Sequence, residues 1–451
     1  MLLYKINGFF DKPLGVFMKK EVKDFLVKWG ISPDNVKTDE MLDFFLKEMN
    51  DGLTEKGSSL SMIPTFIGDD SILVPGKKLI VIDAGGTNLR TCLVSFDENL
   101  KPEISNFKKV PMPGVKHEVS AKEFFGVFAT QVEGIIDQSD SIGFCFSYAA
   151  TISSDNDGTP IVFSKEIKAP EVIGKKVGAT LLAELKDRGY NIENKRVAVL
   201  NDTVATLLAG KAAASKDKQY DGYVGFILGT GTNTAYLEKN ENITTISGLK
   251  TGNQVINVES GSLKVKQGKL DELFNSTTKN PNQYILEKMI SGAYLGPLSN
   301  IVIEKAVKEG ILSKDFGKKF KEVGPVNTTE MSHFLEMPFN NDYKLVQCVK
   351  DNKVDAENLW YILESLIERA GKITAVNLTA AIIKTEFGKD PLHPVCINAD
   401  GTTFYKTEYL EKYTNYYLEE LLVKKYHRYY ETVCIDNSPT IGAAIAALGL
   451  K

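Results

Sequence analysis

Two turns in this chain combine glycine, threonine and asparagine in a way that could hold a phosphate group. The stretch IVIDAGGTNLRTCLV, residues 80–94, and the stretch FILGTGTNTAYLE, residues 226–238, share one plan. In each, an apolar run meets a glycine- and threonine-rich turn that ends in Thr-Asn, and a second apolar run follows. Glycine lets a bulky anion approach the backbone, and successive N–H groups in such a turn form a concave anion site. Each turn therefore predicts a phosphate site between two strands.

Neither turn matches the common nucleotide-binding patterns. The chain contains no GxxxxGK[ST] sequence, and the GxGxxG fingerprint must open a helix, whereas these turns lead into strands. A single turn of this kind is usually an ordinary hairpin connection. The presence of two matched copies favours the phosphate interpretation and also predicts a duplicated core with a cleft between its halves.

Two aspartates stand where carboxylate chemistry would be useful. Asp83 lies directly before the first turn, where it could hold a hydrated Mg²⁺, or it could be a turn or capping residue. Asp202 follows a predicted strand in LNDTVATLLAG, residues 200–210. A carboxylate at a strand end is held rigidly enough to act as a general base, but Asp202 could equally cap the helix that starts near Thr203. The residues alone leave both alternatives open at each position.

Strands and helices mix throughout the chain, so the predicted class is α/β. Apolar residues at helical spacing predict a helix that ends at Gly30 and a second helix that Thr38 caps and Gly52 ends. The segment around Pro64 reads as a loop-rich boundary. Near the end of the chain, a strand is expected to break at Asp400-Gly401, and a second strand is expected to lead through a turn into a helix of small residues.

Composition narrows the classes of function. The chain has 451 residues with a net charge of −4, which makes nucleic acid or an anionic membrane a poor partner. Its five cysteines form no CxxC pair, so reduced, packed thiols are expected. Its four histidines are too dispersed to predict a metal cluster or a Ser-His dyad. No signal-peptide pattern or membrane-spanning apolar run is present, so a soluble cytoplasmic protein is expected.

A larger set of motifs occurs in one order along most of the chain, and together they resemble the eukaryotic-type hexokinase family. The stretches that carry the resemblance are SLSMIPTFI, IDAGGTNLR, FSYA, FSKEIKA, LNDTVATLLAG, GTGTN, INVESG and NQYILEKMISGAYLG. The resemblance implies a two-domain actin-like ATPase fold, related to ribonuclease H, with a deep interdomain cleft. It implies a small domain over residues 71–200 with the C-terminal helix 441–451, and a large domain over residues 1–70 and 201–440.

The family resemblance also implies roles for individual residues. Asp202 would be the catalytic base that takes the proton from the sugar 6-hydroxyl, and Lys165 would neutralise the transferring phosphoryl group. The residues expected to bind the sugar are Ser147, Ser164, Lys165, Asn201, Asp202, Asn233, Glu259 and Glu287. The residues expected to bind ATP are Gly85, Gly86, Thr87, Asn88 and Arg90 around the first turn and Gly229, Thr230, Gly231 and Thr232 around the second, with Asp83 holding Mg²⁺ through water.

Outside that context, two of these residues have ordinary alternatives. Glu287 could be a solvated charge on an amphipathic helix, and Lys165 could be an exposed loop lysine. The chain also departs from the family pattern at four places: Tyr148-Ala149, Glu166, Ser260, and the segment 437–442, where Pro439 interrupts a glycine-rich adenosine motif.

The preferred interpretation is therefore an ATP-dependent kinase of an aldohexose, most simply glucose, that works as a monomer or homodimer. One alternative is a non-catalytic relative that senses hexose by closing around it, and only the altered segment 437–442 favours it. Another alternative is a chaperone or filament protein of the actin-like superfamily. Such a protein would lack the paired glutamates, Glu259 and Glu287, and the loop that carries Lys165.

Overall fold

The computed structural model describes residues 18–68, 72–163, 167–214 and 218–450. Most of the strands in this part of the chain belong to two mixed sheets. The strands are β1 (Ile63–Pro64), β2 (Leu79–Ala84), β3 (Asn88–Phe96), β4 (Pro102–Pro111), β5 (Ser141–Phe146), β6 (Ala149–Ile152), β7 (Gly158–Val162), β8 (Arg196–Leu200), β9 (Gly222–Leu228), β10 (Thr232–Lys239), β11 (Asn253–Asn257), β12 (Val395–Asp400) and β13 (Tyr430–Val433).

The two sheets repeat one topology. The first sheet has the order β4-β3-β2-β5-β8, and the second has the order β11-β10-β9-β12-β13 with β1 added at the β11 edge. If the added strand β1 is set aside, the first three strands of each sheet along the chain form an antiparallel meander. The last two strands of each sheet lie parallel to its first strand. The duplicated core predicted from the two turns is confirmed, because each turn joins the first two strands of one sheet.

The helices are concentrated in the second half of the chain. They are α1 (Lys20–Trp29), α2 (Thr38–Leu53), α3 (Ala121–Val132), α4 (Val177–Asp187), α5 (Asp202–Ala209), α6 (Lys269–Thr277), α7 (Ile285–Ile290), α8 (Leu295–Lys308), α9 (Lys314–Val323), α10 (Thr328–Glu336), α11 (Lys344–Val349), α12 (Lys353–Thr385), α13 (Thr402–Lys406), α14 (Leu410–Leu418) and α15 (Ser438–Leu448).

Helices α5 and α15 pack against each other between the two sheets. Each follows the last strand of its own sheet, and the two approach so closely that a Cβ on Gly442 would lie 1.7 Å from the carbonyl oxygen of Ala205. A Cβ on Gly143 of β5 would lie 2.0 Å from the carbonyl oxygen of Ala443. These glycines, with the alanines around them, let two helices and the first sheet share one buried core.

The observed elements match most of the predicted ones. Helix α1 ends at Gly30, whose φ of 77° makes a left-handed cap that glycine adopts without strain. The predicted cap of α2 was wrong: Thr38 is the first helical residue, and the helix continues one residue past Gly52. Pro64 lies in the short edge strand β1, which pairs with β11. The boundaries proposed for the small and large domains stay predictions.

Two expectations about composition can be compared with the structure. All five cysteines are free thiols, and four of them are buried, with burial raising the pKa of Cys92 and Cys396 to about 12 each. Cys434 is exposed, so the expectation of packed thiols was wrong for that residue. No helix in the described ranges has the length and apolar content that crossing a bilayer requires.

Candidate active site

The first turn and Asp83 are joined by strand pairing. Asp83 and Arg90 lie directly opposite each other on β2 and β3, and a guanidinium nitrogen of Arg90 donates to Asp83 Oδ2 at 2.7 Å. Gly85 N–H donates to the Asn88 carbonyl at 3.0 Å, which closes the hairpin around residues 86 and 87. Asp83 is 4% exposed. Burial raises the pKa of its carboxyl, and the neighbouring Arg90 charge opposes that rise.

At the junction of β8 and α5, the capping role that the sequence left open for Asp202 is taken by another residue. The helix cap is Asn201, whose side-chain oxygen accepts from Thr203 N–H at 2.8 Å. Asp202 is the first helical residue, and its carboxylate accepts from Thr203 Oγ1 at 3.3 Å. Because Asn201 satisfies the end of the helix, the partly exposed carboxylate of Asp202 is not required as the cap.

The second turn accepts hydrogen bonds from other segments of the chain. The Gly229 carbonyl accepts from Gly292 N–H at 2.9 Å and from Thr403 Oγ1 at 2.8 Å, and the Thr230 carbonyl accepts from Ala293 N–H at 3.1 Å. Thr232 is buried, and its hydroxyl donates to a carbonyl of β9, so it is part of the hairpin itself. Thr230 is exposed at the tip of the turn.

Two asparagines and a glutamate form a network beside the second turn. Asn233 Nδ2 donates to Asn257 Oδ1 at 2.7 Å and to Glu259 Oε1 at 3.3 Å, and Asn257 Nδ2 donates to the same Oε1 at 2.8 Å. Burial raises the pKa of Glu259, while the bond from Asn257 opposes the rise. Glu259 has a φ of 58°, a conformation that is unusual for a residue other than glycine and is often found at functional sites.

Glu287 lies against the second turn and is not merely a solvated helical charge. Its Oε2 accepts from Thr232 N–H at 3.0 Å. A Cβ on Gly231 would lie 2.5 Å from the same oxygen, and a Cβ on Gly261 would lie 3.2 Å from the Cβ of Glu287. A side chain at position 231 would therefore displace the carboxylate of Glu287, and one at position 261 would crowd its Cβ.

Asp202 lies near three other carboxyl groups. Its negative charge raises the pKa of Asp83, Glu259 and Asp400, although burial is the largest cause for each. These residues come from both halves of the duplicated core, so the structure brings the predicted base, the predicted metal ligand and a predicted sugar ligand together. No group of three or more potential metal ligands is found among the described residues. A water-mediated Mg²⁺ at Asp83 fits the local charge, because within the described ranges the nearby carboxylates outnumber the guanidinium of Arg90, which pairs with Asp83.

Ser147 and two residues that depart from the family pattern, Tyr148 and Ser260, make contacts near the two turns. Ser147 directly follows β5, and its N–H donates to the Ala84 carbonyl at 3.2 Å, next to the first turn. The Tyr148 hydroxyl donates to the Gly85 carbonyl at 2.6 Å, so this side chain supports the first turn. Ser260 is buried, and its hydroxyl lies 3.1 Å from that of Thr234. Ser164 and Lys165, together with Glu166, lie outside the described residues.

The altered adenosine segment forms an ordered start to α15. Asn437 has a φ of 58°, and Ser438 begins the helix with Pro439 after it. The Ser438 hydroxyl donates to the Ile435 carbonyl at 2.7 Å and accepts from Asn398 Nδ2 at 3.0 Å. Proline is acceptable in the first turn of a helix because its missing N–H would be unpaired there. Helix α15 therefore begins normally although the glycine-rich turn is absent.

Four residues near this site were not selected from the sequence: Asn257, Asp400, Thr403 and Tyr148. Asn257 could have been found, since it lies two residues before Glu259 in INVESG. Asp400 was recognised only as the end of a strand. Thr403 and Tyr148 act through bonds to the carbonyls of the two turns, and no local pattern in the sequence indicates those contacts.

Comparison with known proteins gives a consistent family. Two sequence models, both described as hexokinase, match residues 21–212 and 223–449. Hexokinase from Schistosoma mansoni is 26% identical over 436 residues, which cover 91% of this chain and 94% of that protein. Hexokinase-1 of Saccharomyces cerevisiae is 30% identical over 323 residues, covering 67% of this chain and 65% of that protein.

Solved structures show the same architecture. The Schistosoma mansoni hexokinase complexed with glucose superposes with a TM-score of 0.74 at 24% identity, covering 95% of this chain and 98% of that one. Another hexokinase crystal structure superposes with a TM-score of 0.76 at 19% identity, covering 96% of this chain and 100% of that one. The predicted two-domain actin-like fold is confirmed. With both family models matched in order, the chain belongs to the hexokinase family, whose enzymes phosphorylate sugars with ATP.

Proposed function

We propose that this protein transfers the γ-phosphoryl group of ATP to the 6-hydroxyl of an aldohexose, and that D-glucose is the preferred sugar. The observation that carries the proposal is the position of Asp202 near carboxylates from both halves of the core, among them Asp83 beside the first turn and Glu259 beside the second. Glucose is chosen because the related Schistosoma mansoni hexokinase is described in complex with it.

In this proposal Asp202 accepts the proton of the 6-hydroxyl as that oxygen attacks the γ-phosphorus. Phosphoryl transfer demands little covalent chemistry from the protein, so positioning and charge stabilisation supply most of the rate. The start of α5 fixes the backbone of Asp202, while Asn201 occupies the capping position. The carboxylate is then available to a hydroxyl that lies in the cleft.

Sugar recognition is assigned to the amides and carboxylates around the second turn. Each sugar hydroxyl both donates and accepts, so a selective site needs acceptors and donors in fixed directions. The bonds among Asn233, Asn257 and Glu259 fix those directions. Glu287 is fixed by its bond to Thr232. Ser147, Ser164 and Lys165 are proposed to reach the sugar from the other side of the cleft.

The two turns are assigned to the phosphates of ATP, residues 85–88 with Arg90 on one side and residues 229–232 on the other. Mg²⁺ is proposed to bind near Asp83 through water, and it would neutralise charge on the bound phosphates. Lys165 is proposed to contribute a further positive charge at the transferring group.

The direct test measures ADP release with Mg²⁺-ATP and a panel of glucose, mannose, fructose and galactose. The proposal expects sugar-dependent ADP release that is greatest with glucose, and a 6-phosphate product identified by mass spectrometry and NMR. Release with another hexose alone would reject the glucose assignment. Sugar binding without any turnover would support the sensing alternative, which the family comparisons do not favour.

A further inference from the structure

A separate cavity of about 510 Å³ lies beside α12, and none of the predicted sugar or ATP residues lines it. It is enclosed by the end of α1, the start of α2, the segment 264–269, and helices α7 and α12. Its volume is within the range of small-molecule sites, which is about 300–1,000 Å³.

The cavity depends on a close crossing of two chain segments. A Cβ on Gly30 would lie 2.5 Å from the Cα of Gly268, so the end of α1 touches the start of α6. Below this crossing, Arg369 forms a bidentate ion pair with Asp271, at 2.7 and 2.8 Å, and also donates to the Gly30 carbonyl at 3.2 Å. Both charged side chains are almost fully buried. This framework gives the cavity a defined shape.

One wall of the cavity is apolar. Met41 and Phe44 of α2 are only partly buried, although they pack against the core. Met289 of α7 and Ile373 of α12 complete the wall from the opposite side. Apolar side chains that remain accessible within a concave site favour a ligand with an apolar body.

The rim of the cavity is cationic. The lining includes Lys28 and Arg369, which are paired with Glu309 and Asp271, and Glu40 is the one lining carboxylate. The other four lining cations are exposed lysines that have no ion-pair partner among the described residues: Lys37, Lys264, Lys266 and Lys269. Such a concentration of like charge attracts an anion.

Two nitrogen donors of residues that line the cavity have no acceptor among the described residues. They are Nε of Arg369, whose side chain is almost fully buried, and Nε2 of Gln267. Leaving a buried donor unpaired is costly, but both nitrogens are closed off from the open cavity, so a ligand oxygen pairs with them only if a neighbouring side chain moves.

We propose that this cavity is a regulatory site for a small amphipathic anion. The apolar body of the ligand lies against Met41, Phe44 and Met289, and its anionic head group lies among the rim lysines. Met289 follows Glu287 by two residues in the short helix α7, so a ligand that moves this helix also moves a proposed sugar ligand. The regulatory part of the inference rests on the proposed sugar site, whereas the binding part does not.

Binding is tested with two fluorescent probes that share an apolar body. One is 8-anilinonaphthalene-1-sulfonate, and the other is its neutral analogue N-phenyl-1-naphthylamine. The double variant Lys264→Glu, Lys266→Glu is expected to weaken sulfonate binding by at least about tenfold, equivalent to about 1.4 kcal/mol, and to leave the neutral probe within about threefold. The matched control is Lys318→Glu, Lys321→Glu on α9, which makes the same charge change away from the cavity.

Equal sulfonate affinity in the wild type and the cavity variant would overturn the proposal. So would an equal loss in the control variant. Coupling is measured from the sulfonate Kd with and without saturating glucose, since linkage requires each ligand to change the affinity of the other. A shift of at least about threefold is expected in the wild type. An unchanged Kd would reject the regulatory role, provided that calorimetry shows glucose binding; absence of glucose binding would instead reject the proposed function.

Discussion

The two halves of the duplicated core use one strand plan for different chemistry. In the first half, the first strand ends near Asp83, and the last strand leads through Asn201 to Asp202. In the second half, the corresponding first strand leads into the second turn, and the last strand leads through Asn437 to Ser438. Equivalent backbone positions therefore carry an acid in one half and a hydroxyl in the other.

The two turns also differ in their support. The first turn receives a hydroxyl from Tyr148, and its tip residue Thr87 is exposed. The second turn is bonded to Glu287 of α7 and to the segment between α7 and α8, both in the long helical region between β11 and β12. It is also bonded to Thr403 of α13, which follows β12. Segments outside the strands therefore fix the second turn beside the proposed sugar site. Two of the proposed sugar ligands, Glu259 and Glu287, lie between β11 and β12, whereas the others come from the repeated core or from the segment that carries Ser164 and Lys165.

The largest difference is expected between the two helix-start residues, Asp202 and Ser438. Asp202→Asn should lower kcat about 10²- to 10⁴-fold, because general base catalysis contributes rate of that order. Ser438→Ala should instead cost about 1 kcal/mol of unfolding free energy through lost hydrogen bonds, with kcat changed by less than about tenfold. Steady-state kinetics and chemical denaturation measure both effects. Comparable kcat values for Asp202→Asn and wild type would remove Asp202 as the base.

A second contrast concerns pH, because Glu364 of α12, a helix that lies between β11 and β12, is buried against α14. Burial raises the pKa of Glu364 from 4.5 to about 8, with the Tyr413 hydroxyl opposing the rise and the Glu368 charge adding to it. The folded protein therefore holds a proton that the unfolded chain releases above pH 4.5. The contribution of Glu364 to the free energy of unfolding is fully present below pH 4.5. It then falls by about 1.4 kcal/mol per pH unit up to about pH 8.

Glu364→Gln should abolish this part of the pH dependence of the unfolding free energy. The measurement is urea denaturation at several pH values between 5 and 8, and Glu336→Gln on the exposed end of α10 is the control. If the slopes of Glu364→Gln and wild type were the same, Glu364 would titrate normally in the folded protein.

A third test compares one glycine from each turn. Gly231→Ala places a Cβ 2.5 Å from Glu287 Oε2, whereas Gly85→Ala places one 3.4 Å from the Asn88 carbonyl oxygen. The overpacking in Gly231→Ala should cost about 1–3 kcal/mol of sugar-binding free energy, because Glu287 is displaced. The KM for hexose should therefore rise about 5- to 150-fold in this variant. Gly85→Ala should leave the KM for hexose within about threefold and act on the KM for ATP. Equal hexose KM values for both variants would refute the assigned place of Glu287.

The smallest effects are expected from the hydroxyls that support the turns. Tyr148→Phe removes the donor to the Gly85 carbonyl, and a net loss of about 1 kcal/mol should raise the KM for ATP several-fold. Thr403→Val should have a smaller effect, because the Gly229 carbonyl retains its bond from Gly292 N–H. If Thr403→Val raised the KM for ATP more than Tyr148→Phe does, the hydroxyl of Thr403 would be the more important support, contrary to this prediction.

The sequence by itself determined the parts of this protein that depend on neighbouring residues. Glycine and threonine between apolar runs specified both hairpins, and Gly30 specified the end of α1, because φ preferences and side-chain alternation act over a few positions. The ordered motifs also identified the family and most of the proposed site, since each motif keeps its residues on one short segment.

Only the tertiary structure decided which distant segments meet. A Cβ at Gly231 would displace the carboxylate of Glu287, because that glutamate, on a separate helix, occupies the space beside the turn. Tyr148 and Thr403 support turns far away in the chain, and Asp400 lies near enough to Asp202 for that charge to add to the rise that burial causes in the pKa of Asp400. Such contacts follow from the packing of whole elements and from the electrostatics of a shared cleft, which a local sequence pattern does not encode.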